Sequence, residues 1–443
     1  MAKNVEVIEK KSKLRSFLLR VYRKICRILD RKPKVDILLL TNRDSDNVGD
    51  QVIEACDISL IAAIMKNLNI KKKGYKIRSR AASFIKNEND AVIRKTIKET
   101  DVILFGGAPL FNYDHQSFYA NTAKTIKFAQ EQNKPVVFSA IGIEGYSDKN
   151  KKCQILKEAL NLPCVKQITT RDDVDSLKKY NSTVPTGLVS DPAVFSSTVF
   201  KRIASTHKSG TKRIGLFAAR KGLCLDNRIS FDAKSQMNLW EETVAVLEEK
   251  GYDYRFITTG HFSDESFMVH MSDSGKFKNE KFVFNMNTPE DLIKEIARCD
   301  AIIAFRLHAN IIAYSYDIPA VGLIWNPKIP FFYERIEYPE RAVNVVGCNG
   351  ELLVAALEDA IENGVKKSPG YLMSVYGTLF KAFKEIFPAD KKTEPYSYEA
   401  LLKKIPEFAG TPRREKKAKL RRKFLRTYRS YNKLQNKLEE VAL

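Results

Sequence analysis

The sequence contains no run approaching the ~18 consecutive apolar residues of a membrane span, so no transmembrane anchor is expected. The apolar cluster near the start, residues 17–19, is short and followed closely by Arg, which does not fit a secretory leader. Cysteine is sparse. Its seven residues (Cys26, Cys56, Cys153, Cys164, Cys224, Cys299 and Cys348) lie scattered, with no Cys-x-x-Cys spacing. An odd, dispersed set, partly within apolar segments, fits small core residues in a reducing cytosol. It argues against a disulfide framework or a zinc site, and a cytoplasmic location is expected. Histidine is scarcer still, and no two of the five stand at helical ligand spacing, so no metal centre is expected. No repeat of fixed period is present.

What is present is a long globular chain with an unusual charge. Its 443 residues, 44% of them apolar, supply material for two or three cores. The net charge of +22 is unevenly placed: residues 1–34 hold 12 Lys or Arg against 3 Asp or Glu, and residues 411–443 hold the same numbers. Each end therefore carries +9 and the body between them only +4. The basicity of the ends needs an explanation of its own, separate from any active site.

In the body, apolar runs alternate with amphipathic stretches. Residues 35–40 form a continuous apolar run, the pattern of a parallel strand buried on both faces. A polar loop covers 41–49 and a helix is expected over 50–68. Strands follow near 75–79, 102–105, 135–140, 165–169 and 184–189, separated by helical stretches. A second series has strands at 214–217, 254–258, 301–305 and 319–323. Thr288-Pro289-Glu290-Asp291 supplies an N-cap, a first-turn proline and first-turn acids for the helix before the third of these. This alternation predicts an α/β protein with two Rossmann-like doubly wound parallel-sheet domains in tandem. The expected division is a basic amphipathic N-terminal helix at 1–33, a first domain at 34–195 and a second at 196–345 that opens on a Ser-, Thr- and Lys-rich linker. C-terminal helices at 346–410 and a basic helical tail at 411–443 complete it.

Polar groups gather at the expected strand ends: Asn47-Val48-Gly49-Asp50, Gly106-Gly107, Gly142 to Gly145, Arg171-Asp172, Asp191-Pro192, Arg220-Lys221 and Arg306-Leu307-His308. Each alone has an ordinary explanation as a turn, a helix-start ion pair, a strand stop or a core histidine. Together they carry more weight, because ligands of open parallel sheets bind beyond the carboxyl ends of the strands. Arg171, Arg220, Arg306 and Lys328 are four cations at such ends or just beyond, enough for a doubly charged anion. Arg306 offers a fork of donors, and His308 gives and takes protons near neutral pH. His261, in Thr258-Thr259-Gly260-His261, is a second imidazole candidate. An anionic substrate and an acid–base step follow, in a cleft between two domains.

In order and spacing these motifs resemble the polysaccharide pyruvyl transferase family over residues 35–345. The resemblance rests on Asn47-x-Gly49-Asp50, Gly106-Gly107, Gly142-x-x-Gly145, Thr170-Arg171-Asp172, Asp191-Pro192-Ala193 and Arg220. The most specific block is Arg306-Leu307-His308, followed twenty residues on by Lys328. It implies a glycosyltransferase-B-like fold and transfer of the enolpyruvate unit of phosphoenolpyruvate, as donor substrate and without a further cofactor, onto sugar hydroxyls as a ketal. By resemblance Arg306, Leu307, His308 and Lys328 meet the donor, with Arg171 or Arg220 adding charge and Asn47, Gly106 and Gly107 lining the site. His308 is the candidate acid. Asp50, Asp172 and Asp191 are the candidate bases. Two departures fall in loops bordering the acceptor or interdomain face: Ala108 breaks the family's glycine triplet, and Ala140-Ile-Gly-Ile-Glu-Gly stands where the family has Gly-x-Gly-x-Gly-Pro.

The implied partners are phosphoenolpyruvate and a cell-surface polysaccharide or its precursor, lipid-linked precursors included. For the basic ends, an anionic membrane surface competes with packing on the body or on another subunit. Nucleic acid is disfavoured, since no recognisable module accompanies the charge. A nucleotide-sugar glycosyltransferase and a non-catalytic glycan-binding protein are the alternatives that keep the fold.

Overall fold

The computed structural model describes residues 35–111, 118–203, 210–387 and 392–441. The expected helix within residues 1–33 lies outside the described residues. Among the described residues, eleven strands form two wholly parallel sheets.

The first sheet comprises β1 (Val35–Thr41), β2 (Tyr75–Ala81), β3 (Val102–Gly106), β4 (Val136–Ile141), β5 (Val165–Thr170) and β6 (Thr186–Leu188), in the order β2-β1-β3-β4-β5-β6. In β1, Ile37 and Leu39 enter one core and Leu38 and Leu40 another, all fully buried. That is why the run is continuous: a strand covered on both faces has no polar side. The connecting helices are α1 (Val48–Asn67), the single turn α2 (Phe84–Asn87), α3 (Asp90–Lys98), α4 (Tyr119–Glu131), α5 (Lys151–Leu160) and α6 (Val174–Tyr180).

After the single turn α7 (Ser196–Val199), the second sheet takes β7 (Arg213–Phe217), β8 (Asp253–Ile257), β9 (Ala301–Ala304), β10 (Ala320–Ile324) and β11 (Ala342–Asn344), in the order β11-β10-β9-β7-β8. Its helices are α8 (Ala233–Glu249), α9 (Phe262–Asp273), α10 (Pro289–Ile296), α11 (Leu307–Ser315), α12 (Lys328–Arg335) and α13 (Gly350–Asn363). The sequence reading missed α12 and β11, elements too short to show a period. Strand order reverses once in each sheet, between β1 and β3 and between β7 and β9. Each reversal opens a crevice at the strand ends. Asn47 and Gly106 flank the first crevice, and Arg220 and Arg306 the second.

The two halves share a core. Ile37 and Leu39 of the first sheet and Ile302 and Ala304 of the second belong to one buried cluster. Helix α14 (Pro369–Ile386) adds Tyr376 and Leu379 to it and returns to the first half. There Asn67 Nδ2 donates to the Tyr376 hydroxyl (2.9 Å) and Ser190 N to Ser374 Oγ (2.8 Å). The stretch expected as a linker starts in this core as well, with Ser197 N donating to Ser315 Oγ at 2.9 Å. Its hydroxyl residues suggest a solvated linker by composition, but its first part is packed into this core, where Ser197 pairs with Ser315. Residues 204–209 of it lie outside the described residues. A short helix, α15 (Tyr398–Lys404), precedes the basic tail, which is the 29-residue helix α16 (Arg413–Val441). No helix among the described residues is long and apolar enough to cross a membrane.

Candidate active site

The first wall of the cleft is the N-terminus of α1. Asn47, extended at φ −67° and ψ 110°, caps it by accepting from Gly49 N (3.1 Å). Gly49 abuts the histidine of the facing half: a Cβ built there would lie 2.3 Å from His308 Nδ1. Asn47 Nδ2 approaches the same nitrogen at 3.5 Å, and Val48 N donates across the interface to Thr259 O at 2.7 Å. Asp50 is buried and accepts from Asn42 Nδ2 at 3.0 Å. Burial outweighs its hydrogen bonds and the nearby Arg171 and Lys328, so its carboxyl is raised to about 6.

The second wall is the turn from β9 into α11. Trp325 Nε1 donates to Phe305 O (2.6 Å), and Asn310 Nδ2 donates to Ala304 O and Arg306 O. Tyr333 holds Asn310 in turn. Leu307 opens α11, and His308 follows with 7% exposure and its Nε2 buried without a partner. Burial, then Arg171, Lys328 and Arg306, push the imidazole well below its ordinary value. In the empty cleft it is neutral near pH 7.

Arg306 does not present a free fork. Its Nε and Nη2 donate to both oxygens of the buried Asp264, at 2.8 and 2.6 Å, and its guanidinium lies 5.8 Å from the centre of the Trp325 ring. Asp264 also accepts from Arg220 N (2.9 Å), and His261 Nδ1 stands 3.8 Å away. Burial holds the His261 imidazole below its ordinary value. The Arg220 side chain turns to Asp226 instead of the cleft. Of the four cations read from the sequence, Arg306 and Arg220 are thus paired with carboxylates of their own half.

Arg171 and Lys328 are the cations whose fields meet at His308 and Asp50. Arg171, at the end of β5, is buried. It pairs with Asp191, donates to Gly107 O at 2.8 Å and leaves its Nε without a partner. Asp191 caps the following turn by accepting from Ala193 N at 2.8 Å, which makes it the anchor of Arg171. Asp172 Oδ1 accepts from Ile143 N, Thr170 Oγ1 and Asp173 N at 2.9–3.0 Å, while its Oδ2 is buried and unpartnered. Lys328 opens α12, and no ion pair closes on it among the described residues. Burial outweighs nearby Asp172 and, with Arg171, holds its ammonium below its ordinary value.

The glycine loops form the floor and are laced together: Gly107 N donates to Ser139 O (3.0 Å), Gly142 N to Ala108 O (2.9 Å) and Glu144 N to Phe111 O (3.0 Å). Gly106 lies against a residue the sequence reading missed. A Cβ there would come 2.3 Å from Oδ2 of Asp57, which is fully buried with both oxygens unpartnered. Burial, then Asp191 and Glu54, push its carboxyl well above the usual range. Asp264 was missed too. It stands in the first turn of α9, where an acid is commonplace and nothing local sets it apart. The available signal for Asp57 was a third acid, after Asp50 and Glu54, in the helix that carries the Asn47-Val48-Gly49-Asp50 cluster. A cavity of about 1120 Å³ lies away from this cluster, between α1, β2 and residues 404–415. Concentrated buried charge marks the site, not open volume.

A family model described as polysaccharide pyruvyl transferase matches residues 11–327. The chain belongs to the polysaccharide pyruvyl transferase family. The match covers every polar cluster of the cleft and ends one residue before Lys328. A search of curated proteins gives no match. Among solved structures, the UDP co-structure of S. aureus MnaA is 12% identical with a TM-score of 0.50, covering 80% of this chain and 99% of that one. A putative UDP-N-acetylglucosamine 2-epimerase from Listeria monocytogenes is 12% identical with a TM-score of 0.50, covering 81% and 98%. At this identity the likeness is one of fold, two parallel-sheet domains in the glycosyltransferase-B-like arrangement. In this pyruvyl transferase family member, the two loops that depart from the family pattern are the ones laced together as the cleft floor.

Proposed function

We propose that the protein transfers pyruvyl from phosphoenolpyruvate to sugar hydroxyls of a polysaccharide or its precursor, forming a ketal and releasing phosphate. One observation carries the reading: a buried imidazole with an unpartnered Nε2 lies in the field of Arg171 and Lys328 beside a carboxyl raised to about 6. Arg171, with a free Nε, and Lys328 receive the phosphate and carboxylate of the donor. Attraction in such a buried site exceeds that in water. Asp191 fixes Arg171. Arg306, held by Asp264, is a positioning residue that sets the turn carrying His308 and contributes positive field.

The proton inventory assigns the roles. Burial, and then the nearby cations, keep His308 neutral near pH 7, and the anionic groups of a bound donor offset the cations and so raise its proton affinity. A proton taken up in this way goes to the donor methylene carbon, and the cation formed at C2 is attacked by a sugar hydroxyl. Asp50, ionised above about pH 6, takes the hydroxyl proton. The bond from C2 to the phosphate oxygen then breaks, and a second hydroxyl closes the ketal, its proton leaving with the phosphate. Asp191 serves as scaffold, both of its oxygens being engaged by Arg171 and Ala193 N, and Asp172, held through Oδ1, keeps its Oδ2 unpartnered.

The test is incubation with phosphoenolpyruvate and a panel of candidate glycans. Phosphate release with a pyruvyl mass gain on the acceptor is expected, and His308→Ala should lower the rate by ~10²–10⁴ without unfolding the chain. Consumption of a nucleotide sugar in place of phosphoenolpyruvate would overturn the reading.

A further inference from the structure

Helix α16 carries its charges in an unusual place. Three of its basic side chains turn to the body, and the others are exposed. Lys423 Nζ donates to Glu265 (2.8 Å) and Met286 O (3.3 Å), Arg426 pairs with Asp46, and Lys419 is buried. An adjoining side of the helix carries an uncovered apolar stripe. Leu420, Phe424, Tyr428, Tyr431 and Leu434 recur at spacings of four and three, which aligns them along one side of the helix. Phe424 is 68% exposed and Leu434 64%. The stripe runs about 21 Å at the helical rise. Half of the exposed large apolar side chains among the described residues lie on this one helix.

We infer that this face of α16 lies on an anionic lipid surface. Charge selects that occupant. The exposed Lys416, Lys417 and Arg421 border the stripe, while Arg422, Arg426, Arg429 and Lys433 lie on the other side of the helix, in a crevice of about 420 Å³ shared with Asp44 and Asp46. A second copy would set one +9 end against another, and residues 1–34 of the same chain also carry +9. An anionic headgroup layer complements the bases while the Leu and Phe side chains enter the acyl boundary and the tyrosines sit at headgroup level. The helix lies in the surface and does not cross it. Its ion-pair partners adjoin the cleft: Asp46 precedes Asn47, and Glu265 follows Asp264. If the proposed transferase reading holds, this orientation presents the cleft to an acceptor carried on lipid.

The full chain is sedimented with vesicles of phosphatidylcholine alone and of phosphatidylcholine mixed with phosphatidylglycerol. Binding to the anionic vesicles only is expected, weakened by salt. The double variant F424D/L434D should need about tenfold or more lipid for half-binding. A Phe424→Trp variant should shift its emission to the blue with anionic vesicles, a signal that a folding defect does not mimic. Equal binding by F424D/L434D overturns the inference. So does concentration-dependent dimerisation abolished by that variant, or capture by nucleic acid in preference to vesicles. None of these readouts requires pyruvyl transfer, so a failure here is separable from a failure of the proposed reaction.

Discussion

At the scale of single residues, the site depends on which polar groups are left unsatisfied. Arg306 and Arg220 look like donor ligands in sequence, yet the carboxylates that hold them are distant in the chain or face outward, and no local pattern encodes such a pairing. His308 was legible, because an imidazole after a strand-ending Arg is hard to read as core alone. Its neutral state was not, since that depends on burial and on Arg171 from the other half. The sign follows directly. Burial depresses the proton affinity of His308 most and the surrounding cations depress it further, so an anionic donor that offsets the cations raises it. Calorimetry of phosphoenolpyruvate binding near neutral pH, in buffers of different ionisation enthalpy, should show greater proton uptake by the wild type than by His308→Gln. Equal uptake in the two proteins would remove the imidazole from the proton inventory.

At the scale of elements, strands and long helices were legible because a two-sided strand leaves an unbroken apolar run. Register irregularities were not. Strand β4 shifts register near its end, and Ala140 sits there at φ +52°, fully buried, in the left-handed region. By resemblance the family has glycine at this position. Relief of the Cβ strain, less the added freedom of glycine when unfolded, should make Ala140→Gly more stable by about 0.5–1 kcal/mol in denaturant titration. A loss of stability would mean that the bulge is not strained. The docking of α16 has its own signature. Lys419 Nζ is buried without a partner, and burial, with Lys423 adding, lowers its ammonium to about 8. A base with a lowered folded value opposes docking below about pH 8, and that penalty fades as pH rises toward its ordinary value. Lys419→Met should therefore raise the melting temperature at pH 7, with an advantage that shrinks toward pH 10. A constant advantage would assign the gain to packing, not charge.

At the scale of the whole molecule, two sheets were readable and their union was not. Sequence alternation reports which residues face a core but not whether two cores are one. Here helices α1, α10 and α11 join the inner faces of both sheets into one core. Ile37 and Leu39 lie in the same buried cluster as Ile302 and Ala304, and α14 passes from the second half to the first to complete it. The Gly49–His308 contact and the Val48–Thr259 hydrogen bond lie along the same seam, so the cleft is built on the junction itself. Separate domains with a small polar interface unfold in steps, whereas a shared apolar core couples them. Calorimetry should show one transition whose van't Hoff and calorimetric enthalpies agree. Tyr376→Ala removes an aromatic ring from the seam and should either lower that single transition or split it by releasing α14. Two well-resolved transitions in the wild type would mean that the seam does not couple the halves. The contact between Gly49 and His308 would then form only transiently, and the fixed geometry required of the acid would have to come from the donor itself.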